Sequence, residues 1–129
     1  MSEAPQSAVD AMLAEARRTL ERVEPEDLAA EVEAGALVVD IRPEANRRDE
    51  GPLPGAVVLD RNVLEWRLDP TSPHRISEAD DAGRRVILVC NEGYASSLAA
   101  AALQQLGLPR ATDLAGGYRA WLTRVEPSP

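Results

Sequence analysis

The chain has no lysine and no phenylalanine, and only one histidine, His74, and one cysteine, Cys90, among its 129 residues. Each shortage removes a class of chemistry. Without lysine there is no P-loop lysine, no Schiff-base lysine and no lysine general base. All 14 basic residues are arginines. A lone cysteine forms no internal disulfide, no paired redox motif and no cysteine-rich zinc site. A reducing compartment is therefore expected, with the thiol serving either as buried filler or in chemistry. Aromatic residues make up 3% of the chain, so Val, Leu, Ile and Ala must build the core. No apolar run reaches the about 18 residues of a membrane span, and no basic segment with a long apolar stretch opens the chain. The cytoplasm is the expected location.

What is present narrows the choice further. The net charge of −8 opposes contact with phosphate backbones and anionic lipid, so neither nucleic acid nor a membrane is an expected partner. The length suits one domain with one core. The Ala- and Arg-rich, Lys-free usage resembles that of a GC-rich bacterial genome.

Hydrophobic spacing divides the chain into elements. Apolar residues at Val9, Met12, Leu13, Ala16, Leu20 and Val23 mark one helical face, with Ser7 and Asp10 as an acidic variant of a capping box. A second short helix is expected from Pro25, with Leu28 and Val32 inward and Gly35 as its stop. Leu37–Ile41 reads as a buried strand, Pro43–Gly51 as a charged loop and Ala56–Leu59 as a short strand. Asn62–Leu68 reads as one or two helical turns. Arg85–Cys90 is the clearest strand. Ser96–Leu106 is a helix, Ala111–Leu114 a last strand and Tyr118–Val125 a final helix. The expected division is an N-terminal tail and helix over 1–24, an α/β domain over 25–125 and a disordered tail over 126–129. Alternating strands and helices predict an α/β fold with a mostly parallel sheet, whose ligand crevice lies beyond the carboxyl ends of the strands.

Two strand ends carry polar chemistry: Asp40-Ile41-Arg42, and Cys90 followed by Asn91-Glu92-Gly93-Tyr94-Ala95-Ser96. The second is the more informative. A helix starts about six residues after Cys90, so the loop amides and the helix N-terminus can converge on one anion. A thiolate is such an anion. Gly93 permits a close backbone approach, and Ser96 can cap the helix or donate a hydroxyl. The competing reading is a small buried apolar residue at a strand end. On this spacing alone a sulfurtransferase, a cysteine-dependent phosphatase and an arsenate reductase stay open.

Four segments in order, Asp40-Ile41-Arg42, Leu53-Pro54-Gly55-Ala56, Val86–Cys90 with Gly93 three residues later, and Leu114-Ala115-Gly116-Gly117-Tyr118-Arg119-Ala120-Trp121, resemble a single-domain rhodanese. The resemblance covers about Asp27 to Leu122. It implies a rhodanese-like three-layer α/β/α fold around a five-stranded, mostly parallel sheet, here with an extra N-terminal helix. It also implies a sulfurtransferase that carries sulfur as a persulfide on Cys90 and cradles it in the backbone of Asn91–Ser96. The acceptor would be a thiol, a protein thiol or cyanide, with no metal or organic cofactor. Asp40 and Arg42 match an architectural pair, and Gly116 and Gly117 a supporting turn. Two positions depart from the family pattern. Pro52 stands where a histidine is common, and the cysteine loop has Asn91, Glu92 and Tyr94 but no cation. The second departure disfavours thiosulfate as donor and supports a rival reading, a rhodanese-like binding or regulatory module with little or no activity. It also weighs against a phosphatase, which needs an arginine where Ser96 stands.

Other residues are weaker candidates. Arg61 and Arg67 can bring positive charge to the crevice rim, or can pair with Asp60, Glu65 or Asp69. Tyr94 suits a gatekeeper at the loop tip. Trp66 fits a pocket wall or the core, and Trp121 fits the packing of the last helix. His74 lies between Pro73 and Arg75 in a surface loop. The N-terminal helix serves either as a partner surface or as cover for the sheet.

Overall fold

A computed structural model of the protein describes residues 7–125. The expected tail over 126–129 and the start of the N-terminal tail lie outside them. The side chain of Ser7 accepts the Asp10 N–H at 3.1 Å and opens α1 (Ala8–Arg17), so half of the expected capping box forms. The helix is shorter than the apolar spacing predicts. Val9 and Met12 are exposed, and Leu20 and Val23 lie beyond its end. The chain then makes a 3-10 turn at Pro25–Asp27 and α2 (Leu28–Glu33). Leu28 is buried as expected, whereas Val32 is exposed.

The sheet holds four strands: β1 (Leu37–Asp40), β2 (Val57–Val58), β3 (Val86–Val89) and β4 (Ala111–Asp113). Their order is β2-β1-β3-β4, and every pair is parallel. The register sets Val39 beside Leu88 and Leu88 beside Asp113. The family resemblance implies five strands; beside the four, a single parallel bridge joins Val23, which the apolar spacing assigns to the first helix, to Leu114. Val23 donates to Asp113 O at 3.0 Å and accepts from Ala115 N at 2.8 Å. Glu24-Pro25 follows at once, and proline offers no N–H to a ladder, so pairing stops there.

Side chains alternate across β1 and β3. Leu37, Val39, Val86 and Leu88 face one layer, packed with Leu64, Leu68, Ala99 and Leu103. These come from α4 (Leu64–Leu68) and α5 (Ala95–Leu106). Val38, Ile87 and Val89 face the other layer, with Leu28, Leu114 and Tyr118. Tyr118 belongs to α6 (Gly117–Val125). Residues expected as a loop after β1 form α3 (Glu44–Glu50). Their charged, Gly- and Pro-flanked composition hid a helix that buries no residue of its own. No helix among the described residues is long and apolar enough to cross a membrane.

Candidate active site

Cys90 directly follows β3, at its carboxyl end, and is 7% exposed. Its Sγ accepts the Gly93 N–H at 3.1 Å and the Ser96 N–H at 3.3 Å, and its thiol donates to Ser96 Oγ at 3.2 Å. The loop therefore curls around the sulfur, and the first turn of α5 closes the curl. The Ser96 hydroxyl in turn donates to Asp113 Oδ2 at 2.7 Å, as does Ser97 Oγ.

The curl is held from outside through its carbonyl groups. Two N–H groups at the start of α6, which lack partners within their own helix, donate to it. Tyr118 N reaches Cys90 O at 2.9 Å, and Arg119 N reaches Asn91 O at 3.1 Å. Arg17 Nη2 and Arg22 Nη2 both donate to Gly93 O, at 2.8 and 3.0 Å. In a trans peptide the N–H points opposite to the C=O. No peptide in the described chain is cis. Drawing these carbonyls outward turns the N–H groups of Asn91, Glu92 and Tyr94 the other way.

Glycine makes the close fit of loop and α6 feasible. Gly93 has φ +86°, and a Cβ there would lie 2.7 Å from Gly116 N. Gly117 has φ +67°, and a Cβ there would lie 2.5 Å from Cys90 O. Both are left-handed conformations that non-glycine residues rarely adopt.

The loop carboxylate faces away from the sulfur. Glu92 is 59% exposed and pairs with Arg119 at 3.3 Å. Asn91 Nδ2 donates to Glu50 at 3.1 Å, and Arg119 donates to both carboxylate oxygens of Glu50 at 3.0 and 3.2 Å. These bonds, Arg119 first and Asn91 second, hold the Glu50 carboxyl down at about 2. Tyr94 stands at the loop tip, 59% exposed, and Ala95 opens α5.

Asp40 and Arg42 form a buried bidentate pair, with Arg42 Nη2 at 2.8 Å from Asp40 Oδ2 and 2.9 Å from Gly51 O. The Arg42 guanidinium stacks 3.8 Å from the Tyr118 ring centroid. Beyond the carboxyl ends of β1 and β2 lies a cleft of about 450 Å³, lined by Ile41, Arg42, Arg47, Leu59, Arg61 and Asn62 among others. Ile41 N donates to Val89 O at 2.9 Å, so this wall of the cleft runs beside the end of β3 that leads into Cys90. Arg61 lines this cleft and also bonds Glu65 at 2.9 Å. Arg67 donates instead to His74 O at 2.7 Å, and His74 is exposed. Trp66 is 57% exposed and belongs to no core cluster, whereas Trp121 packs against Tyr118 with ring centroids 5.7 Å apart.

Sequence reasoning missed Arg17, Arg22, Ser97 and Asp113. One signal was available. Asp113 falls inside the expected last strand, and a carboxylate buried there must find cationic or hydroxyl donors.

The comparisons with known proteins agree with one another on the fold. A family model described as Rhodanese-like domain matches residues 24–124. The thiosulfate sulfurtransferase GlpE of Stutzerimonas stutzeri is 33% identical over 100 residues, covering 78% of this chain and 83% of that protein. A Rhodopseudomonas palustris structure, described as a protein of unknown function and possible tyrosine phosphatase, aligns over 100% of this chain and 99% of that one. Its TM-score is 0.82 and its identity 29%. The rhodanese homolog TT1651 of Thermus thermophilus aligns at TM-score 0.56 and 32% identity, over 78% of this chain and 99% of its own.

Proposed function

The chain belongs to the rhodanese-like domain family, and from that membership and the loop geometry we propose that it is a sulfurtransferase working through a persulfide on Cys90. The observation that carries this reading is the pair of backbone N–H groups, from Gly93 and Ser96, directed at Cys90 Sγ. The name of the Stutzerimonas relative makes thiosulfate the first donor to test.

In the first half-reaction the Cys90 thiolate attacks the outer sulfane sulfur of the donor. A new S–S bond forms, the donor's S–S bond breaks, and sulfite leaves with the bonding pair when the donor is thiosulfate. The persulfide's outer sulfur carries the negative charge. The N–H groups of Asn91, Glu92 and Tyr94, turned inward by the anchored carbonyls, serve as donors to it. In the second half-reaction a thiolate or cyanide attacks that outer sulfur, and the Cys90 thiolate leaves. The chain has no second cysteine to resolve the persulfide, so the acceptor comes from outside. The cleft beside Ile41, Arg47 and Arg61 offers positive charge to an anionic donor. Asp40, Arg42, Gly116 and Gly117 act on this reading as the frame that holds the loop. No step calls for a metal or an organic cofactor.

Incubation with thiosulfate is expected to add one sulfur atom by mass spectrometry, and Cys90→Ser to abolish both this gain and turnover to cyanide. Persistence of either in Cys90→Ser would refute the assignment. A wild-type protein that takes sulfur from none of a panel of sulfane donors would favour the rival reading, a rhodanese-like binding or regulatory module. A phosphatase reading has less support, because Ser96 stands six residues after the cysteine and its hydroxyl is spent on Asp113.

A further inference from the structure

The cysteine loop contains no cation, yet two guanidinium groups meet at its midpoint. Arg17 and Arg22 precede Gly93 by 76 and 71 residues and donate to the same carbonyl oxygen. Gly93 is also the residue whose N–H bonds to Cys90 Sγ at 3.1 Å. Neither arginine reaches the loop casually. Arg17 Nε donates to Ser97 Oγ at 3.0 Å, and its guanidinium sits 5.8 Å from the Tyr94 ring centroid. Arg22 grips Asp113 through Nε at 2.9 Å and Nη2 at 3.2 Å. Asp113 is fully buried and also receives the hydroxyls of Ser96 and Ser97.

The charges in this network do not cancel. Asp113 offsets one guanidinium, and among the described residues Arg17 makes no ion pair with a carboxylate. One positive charge is left against the back of the loop. The arrangement also fixes a direction. With Gly93 O drawn to the two arginines, the Tyr94 N–H faces the opposite side of the peptide plane.

We propose that Arg17 and Arg22 are positioning residues that clamp Gly93 and supply, from the N-terminal segment, the positive charge the loop lacks, so that the site accepts an anionic sulfane donor. The proposal deepens the sulfurtransferase reading and rests on it for the reaction served. It makes α1 and the residues after it part of the site rather than cover for α5.

The test compares alkylation of Cys90 by iodoacetate and by iodoacetamide, which differ in charge but not in the carbon attacked. The full chain is used with Arg17→Met and Arg22→Met combined, and with Arg85→Met as control. Arg85 pairs with Glu31 at 2.6 Å and donates to Glu21 O at 3.2 Å, next to Arg22, so its loss loosens the same N-terminal segment without touching the loop. In the double variant the iodoacetate-to-iodoacetamide rate ratio is expected to fall about tenfold. The KM for thiosulfate is expected to rise and kcat to fall. Arg85→Met should keep the wild-type ratio. An unchanged ratio in the methionine double variant overturns the proposal, and so does an equal fall in Arg85→Met. Should the double variant not fold, Arg17→Met alone, which leaves the Arg22–Asp113 pair in place, is judged by the same criteria. Alkylation requires no sulfur transfer. A wild type that never gains sulfur would therefore sink the function proposed above and leave this ratio to decide the clamp.

Discussion

Gly117 holds its place through what it lacks. Its φ of +67° and the 2.5 Å that would separate a Cβ from Cys90 O leave no room for alanine. Gly117→Ala should cost about 1–3 kcal/mol for the backbone conformation alone, with the clash in addition. Since the atoms it would strike belong to the cysteine loop, sulfur transfer should fall with it. Gly35 supplies the comparison. Its φ is +103°, but nothing lies within 4 Å of the place a methyl group would take. Gly35→Ala should therefore cost about 1–3 kcal/mol for the backbone conformation, with no clash added, and leave turnover intact. Urea unfolding of both variants, read beside their activity, checks the contrast.

Among the elements, α3 is the one the sequence concealed, and its last residue does the most for the loop. Glu50 receives Arg119 from α6 and Asn91 from the loop, while its backbone carbonyl accepts the Tyr118 hydroxyl at 2.9 Å. Its carboxyl, ordinarily near 4.5, is held at about 2. A carboxyl lowered in the folded state contributes stability above its ordinary value and loses it as the pH falls through the folded one. The window is thus from about 4.5 down to about 2. Thermal unfolding of Glu50→Gln should begin below wild type at neutral pH, with the two converging across that window. The gap should be modest and should shrink in salt, because solvent screens this carboxylate. An unaltered gap between about pH 5 and about pH 2 would contradict the linkage.

For the whole molecule, β3 is shared by both core layers. Ile87 faces one and Leu88 the other, each fully buried. Ile87→Ala and Leu88→Ala should each cost about 2–5 kcal/mol. Both should still unfold in one transition, because neither layer can empty without the sheet. Fluorescence and circular dichroism melts that failed to coincide would argue otherwise. Such layering was legible in the sequence, since the buried runs Leu37–Ile41 and Arg85–Cys90 name their own strands and the Cys90–Ser96 spacing names the loop. The remainder was not. Helix α3 has no apolar stripe to announce it, and the arginines behind the loop are joined to it only by long-range hydrogen bonds that leave no period in the chain. Val23, which the apolar spacing assigns to the first helix, pairs through one bridge only, because proline follows it by two residues. That one bridge has a mechanical effect. Val23 is anchored between Asp113 and Ala115, and adjacent residues in extended chain point to opposite sides. A slip of one position would bury Arg22 in the aliphatic layer and swing Val23 toward Asp113. The bridge therefore works as an indexing pin, locking the rotational phase of the incoming segment so that a guanidinium, and not an isopropyl group, meets the carboxylate.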